Sequence, residues 1–170
     1  MRGPTPFFVY TSPPTGSAWL VSLLDSHPAI AAYAELFLAD GRGRPAYGSQ
    51  DLPFFSEYRW KREGWLRGGR PELVRLALFL RRLYRPRPGV AEAGFKLMYA
   101  QAERQRGLLF FLLALRRARA VHLRRANRLA ALVSYEAARA NGFLHPTRAE
   151  RVPLAPVRPD TGSLLASLAG

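Results

Sequence analysis

The stretch Pro6-Phe7-Phe8-Val9-Tyr10-Thr11, followed by Ser12-Pro13-Pro14-Thr15-Gly16, decides the fold. The first six residues are mostly aromatic or β-branched and predict a buried strand, and the next five predict a loop. Ser17–Ser26 continues with apolar residues that share one helical face, namely Trp19, Leu20, Leu23 and Leu24. A strand, a glycine-containing loop and a helix in this order form the front of a phosphate-binding βα unit.

The same alternation of strand and helix continues along the chain. Strands are predicted at Ala93–Tyr99 and Arg119–Leu123, the second one buried, and Ala29–Leu38 is predicted to be a short strand or turn. Helices are predicted from Pro71 to the residue before Pro86, over Glu103–Arg117, and over Asn127–Asn141 with Gly142 as C-cap. Gly41–Gly69 has no clean period and is predicted to be a long connection that contacts substrate.

This alternation predicts the α/β fold class, with three layers in which helices flank both faces of a P-loop-like central parallel sheet. Ligands of such sheets bind at the carboxyl ends of the strands, where we expect Ser12–Ser17, Lys96 and Arg124–Arg125 to converge. Residues 1–152 are expected to form one nucleotide-binding domain. Residues 153–170, rich in proline and then in small apolar residues, are expected to form a loosely docked tail.

Composition narrows the functional classes. The 170 residues are 48% hydrophobic, enough for one core, and contain no cysteine, which excludes disulfides and cysteine-based zinc sites. The formal net charge of +14 comes almost entirely from arginine, which fits a GC-rich genome, an anionic ligand or both. The longest apolar stretch, Gly107–Leu115, is shorter than the roughly 20 residues that cross a bilayer. We therefore expect a cytoplasmic protein with no membrane span.

The loop after the first strand resembles the 5′-phosphosulfate loop of sulfotransferases, which use 3′-phosphoadenosine 5′-phosphosulfate as donor. The family pattern Pro-(Lys/Arg)-Ser-Gly-(Ser/Thr)-Thr-(Trp/Leu)-Leu is matched at Pro13, Gly16, Ser17, Trp19 and Leu20, and Thr15 is a conservative replacement. The resemblance implies that Thr15, Gly16, Ser17, Ala18 and Trp19 bind the donor. Asp25-Ser26-His27-Pro28 is similar to the family's usual end of the first helix.

Two positions in this loop depart from the family pattern. Pro14 stands where the family has a basic residue that meets the phosphate and the transferred group, and Ala18 stands at a hydroxyl position. Loss of such a cation raises the transition-state free energy by roughly 2–4 kcal/mol unless another basic residue replaces it. Arg2, Arg124 and Lys96 are the candidates for that replacement.

The segment Leu123-Arg124-Arg125-Ala126-Asn127, with Ser134 following, resembles the 3′-phosphate-binding motif of the same family. Its form is closest to the bacterial branch of carbohydrate sulfotransferases related to trehalose sulfotransferase. An arginine suits a phosphate because its planar fork donates two parallel hydrogen bonds, and a serine adds a third. The resemblance assigns the 3′-phosphate to Arg125 and Ser134, with Arg124 as a neighbour that shares the first role.

Two further residues are candidate catalytic groups. Glu35, in Tyr33-Ala34-Glu35-Leu36-Phe37, matches a glutamate-containing segment that supplies the general base in the bacterial branch; the alternative is a surface glutamate in a turn. Lys96 lies inside an apolar strand, where an unpaired ammonium is unfavourable, so it is expected to meet an anion or a cleft. The alternative is an edge-strand lysine that points to solvent.

The three histidines do not have metal-ligand spacing, and no metal is expected. His122 is expected in the core, and His27 is a weaker candidate for the base than Glu35. The resulting hypothesis is an enzyme that moves a sulfuryl group from 3′-phosphoadenosine 5′-phosphosulfate to a hydroxyl of a small acceptor, most simply a carbohydrate.

Two alternatives stay open. One is a relative that binds the nucleotide but has lost the chemistry at Pro14; this includes a fragment or a decayed copy, because the chain ends soon after Ser134. The other is a basic nucleic-acid-binding protein, which the charge and the cluster Arg81–Arg87 would suit. No recognised nucleic-acid module is present, so no specific nucleic acid is expected as a partner. The acceptor's identity and the oligomeric state are not determined by the sequence.

Overall fold

The computed structural model describes residues 3–38, 45, 47–58, 72–114 and 118–140. Chain contacts divide the protein into two compact units: the first comprises Met1–Thr11 and Ser17–Leu123, and the second comprises Ser12–Gly16 and Arg124–Gly170. The predicted domain boundary at residues 152 and 153, the tail after it, Gly142 and most of the connection 41–69 lie outside the described residues.

A parallel sheet forms the centre of the first unit. Its described strands are β1 (Thr5–Thr11), β2 (Ile30–Tyr33), β3 (Glu92–Met98) and β4 (Arg119–Leu123). They lie in the order β2-β3-β1-β4, and all three pairings are parallel. The sequence therefore predicted the strands and the parallel sheet correctly.

The helices follow the strands in chain order. The first unit contains α1 (Ser17–Asp25), α2 (Glu72–Leu83), α3 (Tyr99–Arg104) and α4 (Arg106–Ala114). The second contains α5 (Arg128–Ala140). The helix predicted over Glu103–Arg117 is confirmed at α4, its residues 115–117 lie outside the described residues, and its predicted start is wrong because the helical hydrogen bonding is interrupted at Gln105 between α3 and α4. There the backbone N–H of Gln105 donates to the carbonyl of Gln101 at 3.0 Å and ends α3.

Alternate residues of β1 face opposite sides of the sheet, because successive side chains of a strand point in opposite directions. Phe7 and Val9 pack with Val21 of α1, whereas Phe8 packs with the buried residues of α2 and α4. Helices thus cover both faces, as the three-layer prediction required. The chain leaves β1 towards one face and β3 towards the other. This topological switch between neighbouring strands marks the usual place for a ligand, at the carboxyl ends of β1 and β3.

Gly94 of β3 makes the contact between the two central strands possible. It lies opposite Phe7, and a Cβ atom built on it would lie 2.3 Å from the Phe7 carbonyl oxygen and 2.5 Å from the ring. Real Cβ contacts are not that short, so only glycine fits under this ring.

Exposure differs from the prediction in two elements. The α1 residues Trp19 and Leu23 are 71% and 52% exposed, because Val21 sets the buried side of this short helix. β4 was predicted to be buried, and this prediction is wrong: four of its five residues are exposed, including Val121 at 41%. The physical reason is that β4 is the last strand in the described part of the sheet.

Candidate functional site

A buried ion pair is the main polar feature of the first unit. The Nζ atom of Lys96 lies 2.7 Å from Oε1 of Glu35, and the two side chains are only 2% and 9% exposed. Lys96 is in β3, an interior strand, and Glu35 lies two residues after β2, the neighbouring strand. The lysine thus meets an anion, and the alternative of an edge-strand lysine in solvent is wrong, as is a glutamate at the surface.

Two neutral side chains complete the hydrogen bonding of this pair. Gln101 donates from Nε2 to Oε2 of Glu35 at 2.9 Å, and Lys96 donates from Nζ to the Tyr47 hydroxyl at 3.1 Å. The amide oxygen of Gln101 in turn accepts from the backbone N–H of Met98 at 3.1 Å. We refer to Glu35, Tyr47, Lys96 and Gln101 as the Lys96 cluster. Its hydrogen bonds hold the carboxylate in one orientation.

Backbone geometry brings Tyr47 to this cluster. The next residue, Gly48, has φ of +75°, and a Cβ built on it would lie 2.7 Å from the Ala32 carbonyl oxygen. That same carbonyl accepts from the backbone N–H of Ser49 at 2.8 Å. The loop is therefore fixed against β2, and a residue with a side chain at position 48 would be both strained and crowded.

The charges of the cluster stabilise one another. Burial by itself lowers the pKa of Lys96, but the nearby Glu35 carboxylate and the hydrogen bonds to Glu35 and Tyr47 outweigh it, so the net pKa is raised. Burial also raises the pKa of Tyr47, against the opposing effect of the Lys96 charge. Lys96 therefore stays protonated and Tyr47 stays neutral near pH 7, so the positive charge is fixed at this point.

The Glu35 carboxylate can still accept one more hydrogen bond. An ionised carboxylate has about four lone-pair sites. Among the described residues, Lys96 and Gln101 use two of them. A hydroxyl that approached Glu35 could therefore donate to it without displacing either partner, which is the geometry that a general base requires.

The loop after β1 has the backbone expected of a strand-to-helix turn. Gly16 has φ of +78° with open space around its Cα, and Ser17, the first residue of α1, is buried. Thr15 and Ala18 are half-buried and Trp19 is exposed. The positive φ explains the glycine, and the start of a helix provides backbone N–H groups without helical partners.

Arg125 and Ser134 meet in the second unit. The Nη1 atom of Arg125 donates to Oγ of Ser134 at 3.1 Å. Asn127 makes this contact possible by starting α5, because its side-chain oxygen accepts from the backbone N–H of Ala130 at 2.8 Å. The loop Ser12–Gly16 belongs to the same compact unit. Arg124, the candidate neighbour, is exposed.

No protein-family model matches this sequence, and no curated protein matches it either. Within the described ranges, no helix is both long and apolar enough to cross a membrane. In the same ranges, no three or more metal-ligating side chains of histidine, aspartate or glutamate come together.

The histidines have surface roles. His122 was expected in the core, which is wrong: it is exposed on β4, and its Nε2 lies 2.6 Å from the Tyr99 hydroxyl. His27 is also exposed, and its Nδ1 accepts from the backbone N–H of Ala29 at 3.2 Å. His27 therefore completes the turn after α1. His145 lies outside the described residues.

Sequence reasoning missed Tyr47 and Gln101. Gln101 had a local signal, because a polar side chain three residues after a strand end can cap the next helix through the strand's last N–H. Tyr47 had none, since its place depends on how the loop returns to β2. Asp25 was also missed as a structural residue: its Oδ1 accepts from the backbone N–H of Ala32 at 3.0 Å and from the Ser49 hydroxyl.

Proposed function

We propose that this protein is a sulfotransferase that moves a sulfuryl group from 3′-phosphoadenosine 5′-phosphosulfate to a hydroxyl group of a small acceptor, in the first place a carbohydrate. The finer P-loop-like arrangement of the sheet and the cytoplasmic location are parts of the same proposal.

The observation that carries the proposal is the hydrogen bond between Arg125 and Ser134. The two residues are nine positions apart, and the resemblance to the 3′-phosphate-binding motif assigns both to a single phosphate group. An arginine fork beside a hydroxyl can present several donors to a phosphate. Arg125 is exposed and Ser134 is half-buried, so a ligand can reach the arginine fork beside the hydroxyl. The positive φ of Gly16 supports the same proposal, because it lets the backbone turn closely around an anion.

The Lys96 cluster fits the chemistry. In sulfuryl transfer the bond from sulfur to the bridging phosphate oxygen breaks as a bond to the acceptor oxygen forms, and the nucleotide leaves as its 3′,5′-bisphosphate. Glu35 takes the proton that the acceptor hydroxyl loses, through the lone pair left free by its two partners. Lys96 pairs with the Glu35 carboxylate and adds positive charge where negative charge develops.

Pro14 favours a second candidate, a relative that binds the nucleotide without catalysis. The loop has no cation at the position where the family has one. If neither Lys96 nor an arginine replaces it, the transfer is slow while the 3′-phosphate contact is unaffected. Binding of the nucleotide without turnover would identify this candidate.

The test is calorimetric titration with 3′-phosphoadenosine 5′-phosphate. We expect micromolar or tighter binding by the wild type. Arg125→Ala combined with Ser134→Ala should weaken binding about 10- to 100-fold, because charge-assisted hydrogen bonds to a phosphate are lost. Arg119→Ala is the matched control: it removes the same charge from the start of β4, where Arg119 makes only an exposed contact to Glu92 at 2.9 Å.

Turnover is measured separately with the radiolabelled donor and a panel of sugars. Glu35→Gln should lower kcat about 100- to 10,000-fold with unchanged affinity for the bisphosphate, as expected for loss of a general base. Equal and weak binding of the bisphosphate by wild type, double variant and control would refute the assignment altogether.

A further inference from the structure

A pocket lies at the opposite edge of the sheet from the carboxyl ends of the strands. It is formed by the end of α2 and the residues that follow, and its volume is about 660 Å³. The chain between α2 and β3 runs along the amino ends of the strands. There the backbone N–H of Thr5, the first residue of β1, donates to the carbonyl of Ala91, which lies just before β3. The backbone N–H of Ala91 in turn donates to the carbonyl of Ala29, which lies just before β2. Cavities of about 300–1,000 Å³ suit small-molecule ligands.

Three arginines line this pocket: Arg81, Arg82 and Arg85. All three are exposed, and none has an ion pair or a side-chain hydrogen bond with any described residue. Because the three arginines line one pocket, their like charges lie near one another and repel. A bound anion would remove this repulsion.

Capping of the helix does not account for these charges. Cations in a last helical turn commonly hydrogen-bond the final carbonyls. Here the carbonyls of Leu80 and Arg82 accept from the backbone N–H groups of Tyr84 and Arg85, and that of Leu83 accepts from the Arg87 side chain at 3.3 Å. The guanidinium groups of the three pocket arginines therefore keep their donors available.

Tyr84 lines the same pocket and is unusual for a different reason. Its hydroxyl is buried and has no hydrogen-bond partner among the described residues. Burial of that hydroxyl raises the pKa of Tyr84, so the group stays a neutral donor. A buried donor without an acceptor destabilises a protein, and a ligand oxygen would satisfy it.

We propose that the pocket binds the phosphate or sulfate group of a small anionic ligand, with Arg81, Arg82 and Arg85 as its cationic contacts and the Tyr84 hydroxyl as a neutral donor. Arginine forks match the oxygens of either group. Parallel α/β sheets carry their catalytic sites at the carboxyl ends of the strands. This amino-edge pocket is thus a second site, and it does not depend on the sulfotransferase proposal.

The test compares three ligands at constant ionic strength: glucose 6-phosphate, glucose 6-sulfate and glucose. Calorimetry should detect binding of one or both esters and none of glucose. Arg81→Ala combined with Arg85→Ala should weaken ester binding about 100-fold, since each lost charge-assisted hydrogen bond is worth about tenfold. Arg104→Ala, which removes an exposed charge at the end of α3, is the matched control and should bind as the wild type does.

The variant Tyr84→Phe distinguishes binding in the pocket from non-specific attraction of the ester to the protein's positive charge. It removes the unpaired hydroxyl and keeps the shape, so the free protein should be at least as stable while ester affinity falls about fivefold. The bisphosphate-site variant Arg125→Ala with Ser134→Ala should bind the esters normally, so failure of either proposal can be recognised separately.

A preference for phosphate or for sulfate identifies the source of the anion, and either supports the pocket. Ester binding no stronger than glucose binding, or equal binding by the double variant and the wild type, overturns it. Tighter binding of a DNA duplex than of either ester, lost in the double variant, would also overturn it and assign the arginines to nucleic acid.

Discussion

Removing one member of the buried Lys96–Glu35 pair should destabilise the protein far more than removing both. In Lys96→Met the carboxylate of Glu35, 9% exposed, keeps only the neutral amide of Gln101. An uncompensated buried charge lowers the free energy of unfolding by about 3–5 kcal/mol. Glu35→Met leaves the ammonium with the Tyr47 hydroxyl and should have an effect of the same order.

The double variant Lys96→Met with Glu35→Met should recover most of this loss, because apolar side chains of similar volume replace a buried ion pair with little net change. The coupling free energy between the two positions is then at least about 3 kcal/mol, at the upper end for residues in contact. Urea denaturation followed by circular dichroism measures all four proteins. Arg104→Met, at an exposed site, is the control and should stay within about 0.5 kcal/mol of the wild type.

A Lys96→Met variant within about 1 kcal/mol of the wild type would refute the reasoning, because it would mean that the pair is hydrated or absent in solution. The same double variant also bears on function. If it folds normally but lacks transfer activity, the pair serves chemistry beyond holding the sheet and its loops together.

Three further perturbations test other parts of the structure. Gly94→Ala should lower the free energy of unfolding by at least about 3 kcal/mol, because the new Cβ overlaps Phe7; a loss below 1 kcal/mol in urea would contradict that packing. Tyr33→Phe should lower it by about 1–2 kcal/mol, because the hydroxyl donates to Asp51 at 2.6 Å, and thermal unfolding measures this. Raising the pH above 10.5, the ordinary pKa of lysine, should progressively destabilise the fold. The reason is that the pKa of Lys96 and that of buried Tyr33 are both raised, so the folded state holds their protons more tightly than the unfolded state does. Alkaline unfolding followed by tyrosinate absorbance checks this, and unchanged stability up to complete tyrosine ionisation would exclude it.

The parts of the fold that local patterns determine could be predicted from sequence. The apolar run of β1, the glycine after it and the alternation of later segments were enough to predict an α/β protein with a parallel sheet. The exposure of β4 could not be predicted in this way. Three of its five residues, Ala120, Val121 and Leu123, are apolar and suggested burial, but its place at the end of the described sheet order leaves the strand exposed.

The candidate site divides in the same way. That Lys96 needed an anion followed from the apolar strand around it. Glu35 is that anion because β2 lies next to β3, and no local sequence pattern predicts this pairing. The position of Tyr47 is even harder to predict from sequence. It reaches the Lys96 cluster because of the conformation of Gly48 and the hydrogen bond from the Ser49 backbone N–H to the Ala32 carbonyl. Contacts between segments far apart in sequence are therefore the part that sequence patterns leave undetermined.

The sheet order has a consequence for how the chain is made. β1 leaves the ribosome well before its neighbours β3 and β4, and Thr11 bonds to Leu123, which follows it by 112 residues. At about 5–20 residues per second, roughly 6–20 seconds of synthesis separate the two. Until β3 has been made, the apolar run Phe7–Val9 has neither of these two sheet partners. The nascent chain therefore needs either the cover of α1 or a chaperone to keep its central strand from aggregating.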